Sequence, residues 1–189
     1  MLTWIILGAI VVVVLFLVVG IYNRLVALDQ SADQSFADID VQLKQRQDLI
    51  PNLVEAVKGY AGHERATLDA VTQARAAAQS ATSVNDKVQA ENMLTATLGR
   101  LFAVAEAYPD LKANTNFLQL QNELADIENK LAAARRFFNN AVAEFNAARR
   151  QFPAIIFAGM FGFGADKPFF DLGETDRATM NAAPPQVKF

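Results

Sequence analysis

The sequence predicts an all-α protein: an antiparallel up-and-down four-helix bundle preceded by one N-terminal transmembrane helix. Three observations carry that expectation. No charged side chain occurs from Met1 to Asn23, apolar residues recur at helical spacing from Leu25 to Phe145, and Gly and Pro are sparse between residues 24 and 152.

The N-terminal element is the most apolar part of the chain. Trp4 to Val19 reads WIILGAIVVVVLFLVV, and residues 4–22 as a helix would span roughly 28 Å, about the hydrocarbon thickness of a bilayer. Trp4 and Tyr22 sit at its two ends, where amphipathic rings favour the membrane interfaces, and Phe16 lies within the span. A cleaved signal peptide would carry a basic n-region and a small-x-small cleavage site, and neither is present. The absence of Cys excludes an acylated lipoprotein. A buried core helix is rarely apolar all round for this length. Residues 1–23 are therefore expected to be an uncleaved anchor whose partner is membrane lipid. The flank before the span has no Lys or Arg, whereas Arg24, then Lys44 and Arg46, follow it. Positive-inside reasoning favours an outside N-terminus and a cytoplasmic bundle.

Residues 24–152 read as the bundle. Ala, Leu, Gln, Glu, Lys and Arg dominate, all good helix formers. Four stripes recur at intervals close to the coiled-coil spacing of about 3.5. They are Leu25, Leu28, Ala32, Phe36, Ile39 and Leu43; Leu53, Val57, Ala61, Leu68 and Val71; Val88, Leu94, Leu98, Leu101 and Ala105; and Phe117, Leu120, Leu124, Ile127, Leu131, Ala134, Phe138, Ala141 and Phe145. Such stripes bury against neighbouring helices, and no strand-like alternation competes with them.

Punctuation divides the stripes near 49–51, 80–83 and 108–115. Pro51 lacks the N–H a helix interior needs, so it ends or kinks the first helix. Ser83 with Asp86 resembles a capping box that starts the third helix near Val84. Tyr108-Pro109-Asp110 ends that helix, and Asn114 or Thr115 can cap the fourth. With a turn at Pro51 the passes number four, and Phe152 returns toward Arg24; with only a kink they number three, and Phe152 ends distal. Residues 153–172 form an uncharged aromatic segment as far as Ala165, too short to span. Its Phe157, Phe161 and Phe163 could lie on the bilayer surface, cover a bundle end or meet a neighbouring subunit. Residues 173–189 read as a polar tail.

The chain offers little chemistry. Its 17 basic and 20 acidic residues give a net charge near -3, which argues against nucleic acid as partner. With no Cys and one His, multi-His and thiolate metal centres are excluded. Gly159-Met-Phe-Gly-Phe-Gly164 superficially resembles a phosphate loop, but it follows a helix and a proline and lacks a Lys-Ser/Thr pair; a glycine-eased aromatic turn accounts for it better. His63 reads as a surface or packing residue. The acids of the fourth helix (Glu123, Asp126, Glu128, Glu144) lack the Glu-x-x-His motif of di-metal bundles. Arg135-Arg136 and Arg149-Arg150 read first as solvated, ion-paired faces. No nucleophile, base and orienter form a set, so no catalytic residue, cofactor or metal is expected.

Several segments together resemble the LemA family of bacterial membrane proteins. They are Tyr22-Asn23-Arg24, Val41-Gln-Leu-Lys-Gln-Arg-Gln-Asp-Leu-Ile-Pro-Asn-Leu-Val54, Val57-Lys-Gly-Tyr-Ala61 with His63-Glu64, Ala107-Tyr-Pro-Asp-Leu-Lys-Ala113 with Asn116-Phe-Leu-Gln-Leu-Gln121, Ile127 through Asn139, Phe152-Pro153 and Phe161-Gly-Phe163. Phe138 stands where the family usually carries Tyr. The resemblance covers about residues 20–171. It implies one N-terminal membrane helix, a four-helix bundle, residence in the bacterial inner membrane and no enzymatic activity. Two functional expectations follow. One is a non-enzymatic scaffold that forms a homo-oligomer and organises membrane or partner proteins, since surplus apolar surface marks interfaces. The other is a regulatory adaptor for another membrane protein, such as a protease or a signalling enzyme. The candidate interface residues are Leu49, Ile50 and Pro51 together with Phe157, Phe161 and Phe163, and the Tyr108–Ala113 loop is a further candidate contact.

Overall fold

A computed structural model describes residues 1–170, whose regular secondary structure is helical, with no strand among them. The elements are α1 (Leu2–Lys58), α2 (Arg65–Ser80), α3 (Val84–Glu106), a single turn α4 (Pro109–Lys112), α5 (Thr115–Arg150) and a second single turn α6 (Ala154–Phe157). The four long helices α1, α2, α3 and α5 are the up-and-down bundle the periodicity predicted. The polar tail expected over 173–189 lies outside the described residues.

The transmembrane helix and the first bundle helix are one element. Gly20 has open space around it and does not interrupt α1, so the change at Asn23–Arg24 is one of chemistry and not of backbone. Ahead of it the apolar side chains are exposed, and one window of α1 is long and apolar enough to cross a membrane. Beyond it Leu25, Ala32, Ile39 and Leu43 turn inward.

The turn expected at 49–51 is not there. α1 runs through Pro51, and the first reversal falls at Gly59–Glu64. Two physical reasons account for it. Proline removes the N–H that would bond the carbonyl of Gln47, but Arg75 Nε, from α2, donates to that carbonyl at 2.7 Å. Ile50, Leu53 and Val57 on either side of the proline are buried, and their burial outweighs the lost bond. Gly59 and Gly62, the poorest helix formers after proline, then mark where the helix stops. The pass count is four, through a different hinge from the one expected.

The other boundaries match their chemistry. Ser83 Oγ accepts from the Asp86 amide at 3.1 Å and donates to the Asp86 carboxylate at 2.6 Å, and α3 starts at Val84. Asn114 Oδ1 accepts from the Phe117 amide at 3.1 Å, capping α5.

The chain forms two compact units. Met1–Leu43 pairs with Asn129–Phe169, and Lys44–Glu128 forms the second together with Phe170. In the second unit Ile50, Leu53, Val57, Leu68, Val71, Leu94, Leu98, Leu101, Leu111, Phe117 and Leu124 make one core. In the first unit a smaller cluster joins Leu25, Ala148 and Ala158, with Ile21, Leu28 and Phe163 against it. Phe36 packs on Phe138 at 5.4 Å between centroids.

Candidate functional site

The first unit closes on itself just past the anchor. After α5 the chain turns at Pro153, forms α6, and reverses through Gly162, whose φ of +87° is the left-handed conformation that glycine accommodates without strain. The Phe163 amide donates to the Ala158 carbonyl at 2.8 Å, closing the turn. The glycine-rich stretch is thus an aromatic turn, as its context implied. Ala158 is the small residue that lets the segment sit against Leu25 of α1 and Ala148 of α5, and Ala154 is buried with it.

Aromatic rings set the segment's inner face. Tyr22 meets Phe161 edge-on at 5.2 Å and Phe163 at 6.4 Å. Phe163 also packs on Phe145 at 5.9 Å, and Phe157 stacks on Phe161 at 6.2 Å. Such geometries add about 0.5–1.5 kcal/mol each beyond the area they bury. Tyr22 is the last aromatic of the anchor, so the segment lies at the membrane end of this unit, as the parity of four passes requires.

Polar contacts fasten the far end of the segment. The side-chain amide of buried Asn146 pairs both ways with the Lys167 backbone, its Nδ2 donating to the carbonyl at 3.0 Å and its Oδ1 accepting from the amide at 2.9 Å. The Lys167 ammonium reaches Asp29 at 2.9 Å and Asp33 at 2.5 Å on α1, and lies 5.6 Å from the centre of the Phe145 ring. Burial alone would lower the pKa of Lys167, but the hydrogen bonds it donates to Asp33 and then Asp29, with the charges of both carboxylates, outweigh it and hold the pKa above the ordinary lysine value. Arg149 Nε donates to Asp166 at 2.7 Å, and Arg150 pairs with the same carboxylate. The Arg149-Arg150 pair is therefore an intramolecular ion-pair site.

The second unit contains a buried ionic cluster. Arg46 and Glu91 are each 1% exposed and meet at 2.7 Å. Gln47 Nε2 donates to the other Glu91 oxygen at 3.0 Å, and Arg46 Nη2 donates to Thr95 at 2.8 Å. Arg46 Nε lies 2.7 Å from Glu128, an ion-pair contact whose N–H is not aligned for a hydrogen bond. An apolar groove of about 350 Å³ opens beside the cluster, between Leu98, Phe102 and Leu124. Each guanidinium nitrogen already faces a partner, so the groove presents no spare fork for an anion.

The sequence-derived site residues divide by exposure. Trp4 and Phe16 are each 76% exposed and Tyr22 is exposed in part, lining the anchor. Leu49 is half-buried, Pro51 exposed, and Ile50 faces the core, where no partner can reach it. Phe157, Phe161 and Phe163 are half-buried against Tyr22 and each other. The outward side chains of that segment are instead Phe152, Ile155, Ile156 and Met160. His63 lies exposed in the 59–64 turn. Among the described residues no group of His, Asp or Glu is arranged to hold a metal.

Sequence reading missed the ionic cluster, although it left a signal. Arg46 falls between Leu43 and Ile50 on the buried stripe of α1, and Glu91 precedes Leu94 and Leu98 on that of α3. A charge on an apolar stripe demands a buried partner. The Asn146–Lys167 pairing left none.

A helical bundle whose first helix extends into an exposed apolar span defines a membrane-anchored bundle protein. The chain belongs to the LemA family, whose sequence profile matches residues 35–189. It is 26% identical over 133 residues to Protein LemA of Metamycoplasma hominis, covering 70% of this chain and 61% of that protein. It is 23% identical over 168 residues to Magnetosome protein MamQ of Magnetospirillum gryphiswaldense, covering 75% of this chain and 62% of the relative. Magnetosome protein MamQ 1 of Paramagnetospirillum magneticum is 21% identical over 168 residues, with 75% and 62% covered. The chain thus spans about three-fifths of the length of these curated relatives.

Proposed function

We propose that this LemA-family protein is a non-enzymatic, membrane-anchored scaffold that self-associates and organises membrane or partner proteins. The observation that carries the reading is the fusion of anchor and bundle in one helix, Leu2–Lys58. A continuous helix leads from the apolar span into the bundle with no linker between them, which suits a scaffold. The buried and half-buried ionic groups, Arg46 with Glu91 and Lys167 with Asp29 and Asp33, pair with each other and so serve to hold shape. The relatives' names are likewise not those of enzymes.

Light scattering of detergent-solubilised full-length protein tests this: a defined oligomer is expected, and a monomer at every concentration would refute it. In this reading the bundle lies on the cytoplasmic side of the inner membrane, a placement supported by Arg24 just after the span. Labelling a cysteine at His63 in intact cells with a membrane-impermeant maleimide should fail until the cells are opened.

A regulatory adaptor for a membrane protease or signalling enzyme is the second reading. One contact favours it: Asn114 Nδ2 donates to the Tyr60 hydroxyl at 3.0 Å, joining two exposed turns into one polar surface. Co-purification from native membranes separates the readings, since a stoichiometric partner supports the adaptor and a self-complex alone supports the scaffold.

A further inference from the structure

The segment after α5 divides its side chains between two environments. Ala154 and Ala158 are buried, Ala158 against Leu25 of α1 and Ala148 of α5; Phe161 and Phe163 close on Tyr22, and Phe157 stacks on Phe161. Phe152, Ile155, Ile156 and Met160 point away, 81%, 59%, 56% and 80% exposed. No charged residue occurs between Arg150 and Asp166. Four large apolar side chains grouped on one uncharged segment forgo the gain that burial would give them, so something covers them.

We propose that Phe152, Ile155, Ile156 and Met160 are a second membrane contact, inserted into the interfacial layer of the bilayer that α1 crosses. The inference rests on the membrane-anchor reading of α1. Continuity identifies the occupant. Phe161 is in ring contact with Tyr22, the aromatic that ends the anchor, and Ala158 packs on Leu25, one helical turn later. The outward residues are thereby held at the level where α1 leaves the hydrocarbon. The segment is too short to span, and its turn-rich backbone carries groups that need water or headgroups nearby, which suits the interface and not the bilayer centre. Arg149 and Arg150 are paired with Asp166, so apolar insertion supplies the attraction, with no need of anionic lipid. The anchor fixes position, and this second foothold fixes the rotation of the bundle about α1.

The Cys-free chain gives a direct test. Single cysteines at Ile156, Met160, Val19 and Asp38 in the full-length protein are labelled with an environment-sensitive fluorophore and reconstituted in phosphatidylcholine vesicles. Some vesicles carry a nitroxide on the upper acyl chain. Labels at Ile156 and Met160 should lose fluorescence to the lipid nitroxide as Val19 does and resist aqueous iodide, whereas Asp38 does the reverse. If Val19 is quenched but Ile156 and Met160 respond to iodide like Asp38, the proposal falls and the anchor stands. If Val19 also escapes the nitroxide, the anchor reading falls and the proposal with it. Shielding from both quenchers that is lost at one chain per vesicle would assign the surface to a second copy and overturn the bilayer assignment.

Discussion

Single residues show how strongly this bundle depends on internal pairing. Arg46 and Glu91 lie in the core of the second unit, and removing one leaves the other charged and dry. Glu91→Ala should cost about 3 kcal/mol, the low end for a broken buried pair, because Glu128 still faces the guanidinium. Replacing both partners, Arg46→Met with Glu91→Leu, should recover most of that loss. Urea unfolding midpoints of the three proteins decide it, and equal losses in single and double variants would refute the account. Lys167 gives a pH dependence of definite sign. Its folded pKa lies above the ordinary value, so its contribution is complete below the ordinary lysine pKa and disappears as pH rises through the folded one. Stability should fall as the pH rises past the ordinary lysine pKa of about 10.4 in the parent and fall less in Lys167→Met. Parallel declines in denaturant titrations would refute it.

Elements show where a sequence speaks clearly. The nine-position stripe of α5, Phe117 to Phe145, is buried or half-buried throughout, because a long helix without breakers leaves one way to bury its apolar face. Ser83 and Asn114 were legible as caps because capping is local, confined to residues three apart. Pro51 was not legible, because its cost is local but its relief is not: the donor to Gln47 comes from Arg75, on a different helix. The Lys167 clasp was illegible for the same reason, its partners Asp29 and Asn146 being remote in sequence. This account of Pro51 makes a coupled prediction. Arg75→Ala alone should destabilise by about 1–2 kcal/mol by stranding a carbonyl. In a Pro51→Ala background the helix supplies its own N–H to Gln47, so the same substitution should cost less. A double-mutant cycle in urea measures the difference, and additivity would reject the role given to Arg75.

At the scale of the whole molecule, the chain is a LemA-family protein carrying an apolar span on the same helix that begins its bundle. Every side chain from Met1 to Asn23 is uncharged, so one cation in its middle is a sharp perturbation. Val12→Arg should weaken insertion by about 2.5–3.5 kcal/mol without touching the bundle core, from which Val12 is remote in environment, being 50% exposed. Alkaline carbonate extraction of membranes checks this: the parent should stay in the pellet and the variant should shift toward the supernatant. A variant retained as firmly as the parent would mean that the span is not what holds the protein down.

The two-way amide grip of Asn146 on Lys167 acts as a ruler. One end of the intervening stretch is set by the last turn of α5, its middle by the methyl groups of Ala154 and Ala158, and its other end by that grip. A stretch pinned at three points has a fixed tally of residues and cannot absorb an insertion by sliding. An added residue must bulge outward near Gly159 or Gly164, or it must release Lys167 from Asp29 and Asp33 and so open the clasp. Chain length between Arg150 and Lys167 is therefore part of what this fold specifies, as much as the identity of any side chain in it.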